Sequence, residues 1–182
     1  KIIAYLREDP SIEEVILSGG DPLLANDDYL TKVCLELAAI PQLKRLRIHT
    51  RLPIVLPERM TDSLLHIITN HRLQTVIVLH CNHAQEINDD VTEALGKIKS
   101  KGIPLFNQSV LLRGINDNVT SLRALQEQLF AHGVIPYYLH ILDRVSGTEH
   151  FNVTLREAKR LMRALAHQLP GFLVPRLVQE QS

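Results

Sequence analysis

Cysteine is scarce, neither sign of charge dominates, and no long apolar run occurs; each shortage removes a class of function. Only two cysteines, Cys34 and Cys81, stand among 182 residues. That argues against a disulfide scaffold and fits a reducing cytoplasm. Basic and acidic residues number 20 each, so the formal net charge is zero. Composition therefore offers no electrostatic case for nucleic acid or for an anionic membrane. No apolar stretch approaches the roughly 20 residues that span a bilayer, and no signal peptide is visible. Neither the dinucleotide pattern nor the Walker pattern is present. What remains, 45% hydrophobic and 22% charged, is the make-up of a soluble globular chain able to bury one substantial core. A single domain over residues 1–182 is the expectation. The chain opens inside Lys1-Ile2-Ile3-Ala4-Tyr5-Leu6, which reads as a helix already under way, and it stops at Ser182 just past an apolar run. Both ends read as cut, so a fragment of a longer protein is expected.

Short apolar runs recur: Val15-Ile16-Leu17, Leu46-Arg47-Ile48, Val76-Ile77-Val78-Leu79, Pro104 to Leu112, and Tyr137-Tyr138-Leu139. Phe172-Leu173-Val174 is a sixth candidate. Their starts lie about 30 residues apart, the length of one βαβ unit. Near-continuous apolar runs suit parallel strands buried on both faces. Between them the period turns helical, as in Leu30, Val33, Cys34, Leu37 and Ala38, in Val91, Ala94, Leu95 and Ile98, and in Ala158, Leu161, Met162, Leu165, Ala166 and Leu169. A capping box, Thr154 to Glu157, opens that last helix. The same spacing at Ser11 to Glu14 precedes a strand and carries no weight. Alternating strands and helices predict an α/β fold, either a partial barrel or an open doubly wound sheet. Both bind ligands beyond the carboxyl ends of the strands.

Every predicted strand delivers polar groups to that edge. The first ends in Ser18-Gly19-Gly20-Asp21-Pro22, the second in His49-Thr50-Arg51 and the third in His80-Cys81-Asn82-His83; the fourth carries Asn107-Gln108-Ser109, and the fifth ends near His140 and Asp143. Five in succession predict a pocket there. Paired glycines let backbone amides approach a ligand while Asp21 holds an ammonium; a tight turn closed by Asp-Pro explains the same residues. His80-Cys81-Asn82-His83 does not make a zinc site, since neighbours in a strand face opposite ways and no second cluster completes a tetrahedron. Cys34 lies on an apolar stripe and reads as core. Gln108, set among apolar neighbours, needs a buried partner, either another residue of the barrel or a ligand. Asp143 is a solvated loop residue or an anion aimed into the pocket; spacing leaves both open.

These segments together resemble the radical S-adenosylmethionine (SAM) lysine 2,3-aminomutase family. The resemblance rests on Leu17 to Leu23, on Arg47 to Pro57, on His80-Cys81-Asn82-His83, on the string Asn107 to Asp117 and on Pro136-Tyr137-Tyr138. It covers nearly the whole chain in order. It is nearest to the branch whose members make (R)-β-lysine for attachment to translation elongation factor P. The resemblance implies a radical SAM partial (β/α) barrel with a [4Fe–4S] cluster, S-adenosylmethionine and pyridoxal 5′-phosphate. It assigns Ser18, Gly19, Gly20 and Asp21 to the methionine part of the cofactor and lines the same site with Arg51, His80 and Gln108. Asp143 would bind the side-chain ammonium of lysine, and Glu180 stands where the free-lysine mutases place a second acid one methylene shorter. His140 replaces their tyrosine. The family's Cys-x3-Cys-x2-Cys motif is expected before Lys1 and its cofactor-binding lysine after Ser182. Lysine is then the small-molecule substrate and elongation factor P pathway proteins are the partners, with a homo-oligomer compatible. Two other readings stand beside this one: a free-lysine 2,3-aminomutase of catabolism, and a non-catalytic α/β binding module.

Overall fold

The computed structural model describes residues 2–143 and 147–179. Strands and helices alternate along the chain: α1 (Ile2–Glu8), β1 (Glu14–Leu17), α2 (Asp27–Ala38), β2 (Arg45–Thr50), α3 (Leu52–Val55), α4 (Asp62–Thr69) and β3 (Gln74–His80). There follow α5 (Asp89–Ser100), β4 (Leu105–Leu111), α6 (Val119–Ala131), β5 (Val134–Ile141), α7 (Leu155–Ala166) and β6 (Arg176–Val178). Strand order in the sheet is the order of the chain. Among the described residues no helix is long and apolar enough to cross a membrane. Contacts divide the chain into two compact units, Lys1–Leu79 with Glu93–Leu105, and His80–Thr92 with Phe106–Ser182.

In the first unit β1 pairs with β2 and β2 with β3, all parallel. Along β2 the buried positions alternate, Leu46, Ile48 and Thr50 on one face against half-buried Arg45, Arg47 and His49 on the other. One face is packed and the other only partly covered. Asn26 caps α2 by accepting the Tyr29 N–H at 2.8 Å, and the stripe Leu30, Cys34 and Leu37 is buried beneath it. Burial pushes the Cys34 thiol up to about 11, as a low-dielectric surrounding disfavours the thiolate. The last carbonyls of a helix lack intrahelical partners; Arg72 supplies one for Ala38 at 2.7 Å, and also reaches Leu43 at 2.6 Å and Ile40. The spacing Ser11 to Glu14 caps nothing. Ser11 instead donates to Asp9 at 2.6 Å, and Glu14 opens β1 and meets Arg47 at 2.9 Å.

In the second unit β5 and β6 are parallel, with Tyr138 opposite Arg176 and His140 opposite Val178. α7 packs Ala158 and Leu165 into a core shared with Leu122, Leu139 and Leu173. Its capping box forms as the sequence predicts: Thr154 accepts the Glu157 N–H at 3.3 Å while Glu157 accepts the Thr154 N–H at 2.9 Å. The Thr154 hydroxyl, then its backbone N–H, and the Arg113 guanidinium at 3.0 Å together hold the Glu157 carboxyl down at about 2. The sixth strand is not where the apolar run suggests. Gly171–Leu173 forms a 3-10 turn and the strand starts at Arg176. Pro170 and Pro175 bracket the run, and a proline cannot donate to a ladder. Phe172 stays exposed, its ring 5.3 Å from that of Phe130.

Candidate functional site

At the carboxyl end of β1, Ser18, Gly19 and Gly20 are exposed. Gly19 and Gly20 have φ of +82° and +54°, conformations that a Cβ would strain, and open space surrounds both. This is a turn whose backbone lies bare. Asp21 holds it in place: Oδ1 accepts the Leu23 N–H at 3.1 Å and the Thr50 hydroxyl at 2.7 Å, and Oδ2 accepts the Arg51 N–H at 2.6 Å. The buried Thr50 Oγ1 in turn accepts the Leu52 N–H at 3.1 Å. Arg59 fixes the exit from the turn through the Leu23 and Ala25 carbonyls, each at 3.0 Å, and through Asp27 at 2.7 Å. Both oxygens of Asp21 are therefore engaged by the chain's own donors. That geometry supports the turn-closing account of Asp21 and leaves the peptides of Ser18 to Gly20 exposed. Arg51 is exposed and stands at the N-cap position just before α3.

In the second unit His80 ends β3, half-buried, and its Nε2 lies 2.8 Å from Nε2 of Gln108 on β4. The partner that Gln108 needs is thus a histidine. Along β4 the residues Phe106, Gln108 and Val110 are half-buried and their neighbours fully buried, so Gln108 shares the partly covered face. Phe106 stands 5.5 Å from Tyr137, and Tyr138 meets His140 edge-on at 5.8 Å. After His80 the chain makes a turn closed by Glu86, which accepts the N–H groups of Asn82 and His83 at 2.6 and 2.7 Å. Asn116 bridges this turn to β4 by donating to the Asn82 and Val110 carbonyls, each at 2.9 Å. Cys81 is buried and gives its thiol hydrogen to the His83 carbonyl at 3.4 Å. Among the described residues no group of three His, Cys, Asp or Glu side chains is placed to hold a metal ion. Asp143 is exposed, two residues beyond β5. Glu180 lies outside the described residues.

The residues that sequence reasoning missed are those that hold the corners: Thr50, Arg59, Glu86, Asn107 and Asn116. Thr50 and the two asparagines stand inside the motifs already singled out, but their roles depend on contacts 26 to 34 positions away along the chain. A groove of about 690 Å³ follows α7, lined by Leu155, Arg156, Glu157, Lys159, Arg160 and Arg163; it sits on a helix surface and not at a strand end.

Comparison with known proteins gives the fold first. Streptococcus suis SuiB bound to S-adenosylmethionine superposes with a TM-score of 0.64 over 99% of this chain and 42% of that one, at 12% identity. A radical SAM methyltransferase from Sphaerobacter thermophilus does so with a TM-score of 0.62 over 94% of this chain and 52% of that one, at 13% identity. The fold is the parallel α/β partial barrel of radical SAM enzymes. By sequence the chain is similar, over almost its whole length, to members of the lysine 2,3-aminomutase family. It is 47% identical over 178 residues to the L-lysine 2,3-aminomutase of Escherichia coli K12 and 49% identical over 178 residues to that of Buchnera aphidicola. Each match covers 98% of this chain and 52% of the relative, so the chain spans about half the length of the curated relatives it matches. No family model matches.

Proposed function

We propose that the protein carrying this chain is a radical SAM aminomutase that moves the amino group of L-lysine from C2 to C3, the β-lysine serving modification of elongation factor P. The observation that carries the aminomutase reading is 47–49% identity across 98% of the chain to proteins named L-lysine 2,3-aminomutase. His140 in place of tyrosine and Glu180 in place of a shorter acid weaken the case for a plain free-lysine enzyme of catabolism. S-adenosylmethionine with a [4Fe–4S] cluster supplies a hydrogen-abstracting radical when bound, and pyridoxal 5′-phosphate supplies the carbonyl that carries the migrating amine.

The residues suit parts of that load. In the first unit Ser18, Gly19 and Gly20 present unobstructed peptide groups to the methionine end of the cofactor, Asp21 keeps their turn in shape, and Arg51 follows at the next strand end. In the second unit His80 and Gln108 offer a paired imidazole and amide. Asp143 supplies a carboxylate for the lysine ammonium, with Glu180 assisting. Two cysteines on separate elements, both buried, do not make a set of cluster ligands; those thiolates, and the lysine that holds pyridoxal phosphate, would come from outside residues 1–182.

The test is β-lysine formation by the full-length protein. Slow turnover of free lysine with product passing to elongation factor P supports the reading, and fast bulk conversion gives the catabolic alternative. No β-lysine at all, in a protein loaded with about four irons per chain, defeats both. Asp143→Asn should lower turnover about 100-fold, the upper scale of one charge-assisted contact to the ammonium, with S-adenosylmethionine affinity unchanged. Near-wild-type activity would return Asp143 to a solvated loop.

A further inference from the structure

Asn107 is 1% exposed and Ser109 3%, two polar side chains on the packed face of β4, opposite Gln108. Burying an amide is unfavourable unless its hydrogen-bonding groups are used, and here they are. Asn107 Oδ1 accepts the Cys81 N–H at 2.9 Å, and Nδ2 donates to the Cys81 carbonyl at 3.0 Å and to Ser109 Oγ at 2.9 Å. Ser109 Oγ donates to that same carbonyl at 2.9 Å. The side-chain amide thus imitates a peptide group of a neighbouring strand and pairs with both the donor and the acceptor of Cys81.

The consequence falls on His80. The Cys81 N–H belongs to the peptide plane that begins at His80, and the Cys81 carbonyl to the next plane. With His80 held as the last residue of β3, fixing the first of these planes sets ψ of His80 and so the direction of its Cα–Cβ bond, on the side where the ring meets Gln108 at 2.8 Å. We propose that Asn107 is the positioning residue of the His80–Gln108 pair: from the packed face of β4 it sets the imidazole against the amide on the other. Asn107 itself touches no ligand. The inference deepens the proposed function, since it rests on His80 and Gln108 contacting S-adenosylmethionine.

A double-mutant cycle tests it, read as the S-adenosylmethionine dissociation constant of the full-length, cluster-loaded protein by calorimetry. Gln108→Ala and Asn107→Ala should each weaken binding about 10-fold, the scale of one lost hydrogen bond. Because they act through one contact, the double variant should be no more than about two-fold weaker than the worse single. Multiplying effects, or an Asn107→Ala constant within two-fold of wild type, would overturn the proposal, and a loss of melting temperature alone would leave Asn107 an ordinary structural residue. Should Asn107→Ala not fold, Ser109→Ala removes one of the two hydrogen bonds to the Cys81 carbonyl. A loss that couples to Gln108→Ala sustains the proposal, and a wild-type constant ends it. A wild-type protein that binds no S-adenosylmethionine defeats the proposed function instead, a result distinct from each of these.

Discussion

Two strand ends in this chain are tied down by chemically opposite means. At the end of β1 the tie is an anion, Asp21, partly exposed and surrounded by neutral donors from Leu23, Thr50 and Arg51. At the end of β3 it is a neutral amide, Asn107, fully buried and matched donor for acceptor to Cys81. Water nearby lets a carboxylate serve as a strong acceptor without a large desolvation cost, whereas the same charge under a helix layer would be strongly disfavoured. Depth decides which side chain can do the same mechanical task.

The sharpest way to break that comparison is to exchange the chemistry. Asn107→Asp places a carboxylate against the Cys81 carbonyl and should cost about 3–5 kcal/mol of stability at neutral pH, measured by urea unfolding. Burial raises the folded-state pKa of the introduced group above its unfolded value, so the penalty is full at high pH and relieved as pH falls through that raised value. A variant as stable as wild type at pH 7 would refute the depth argument. The reverse exchange, Asp21→Asn, should cost less, about 1–2 kcal/mol, because one good acceptor oxygen survives. Thr50→Val sharpens the point. If Asp21 acts by closing the turn, both variants weaken S-adenosylmethionine binding together; if Asp21 itself grips the ligand, Thr50→Val leaves the constant alone. The smallest effect concerns a third tie, Glu157 on α7. Its carboxyl, held at about 2 against an ordinary 4.5, contributes stability that is complete above pH 4.5 and lost as pH falls through 2. The difference in melting temperature between wild type and Glu157→Gln should be constant above pH 5 and vanish near pH 2; a difference that persists at pH 2 would deny the carboxylate its part.

Five of the six strands could be read from short apolar runs because the packed face of a strand must be largely apolar whichever neighbours it meets, even where, as in β2, the other face is only partly covered. The sixth could not. Phe172-Leu173-Val174 has the composition of a strand, but two flanking prolines move the ladder on to Arg176. Helices α2, α5 and α7 were legible from period alone. The exposed turn after β1 was legible too, since Gly19-Gly20 announces positive φ. What composition could not assign is who holds whom. Asp21 reads equally as ligand or clamp until Thr50 and Arg51 are placed beside it, and Gln108 shows only that it needs a partner, not that the partner is His80. Those answers belong to contacts some 30 residues apart, which only the fold supplies.

Cys34 has a practical consequence at the bench. A thiol that keeps its proton to about pH 11 is almost wholly un-ionised at neutral pH, and only the thiolate alkylates, exchanges with disulfides or ligates iron at a useful rate. In the folded protein Cys34 should therefore be silent toward iodoacetamide and invisible to iron during anaerobic reconstitution. Its labelling becomes a clock for unfolding: modification appears only as fast as α2 lifts off its core, so the rate of adduct formation reports the opening of the first unit without any engineered probe.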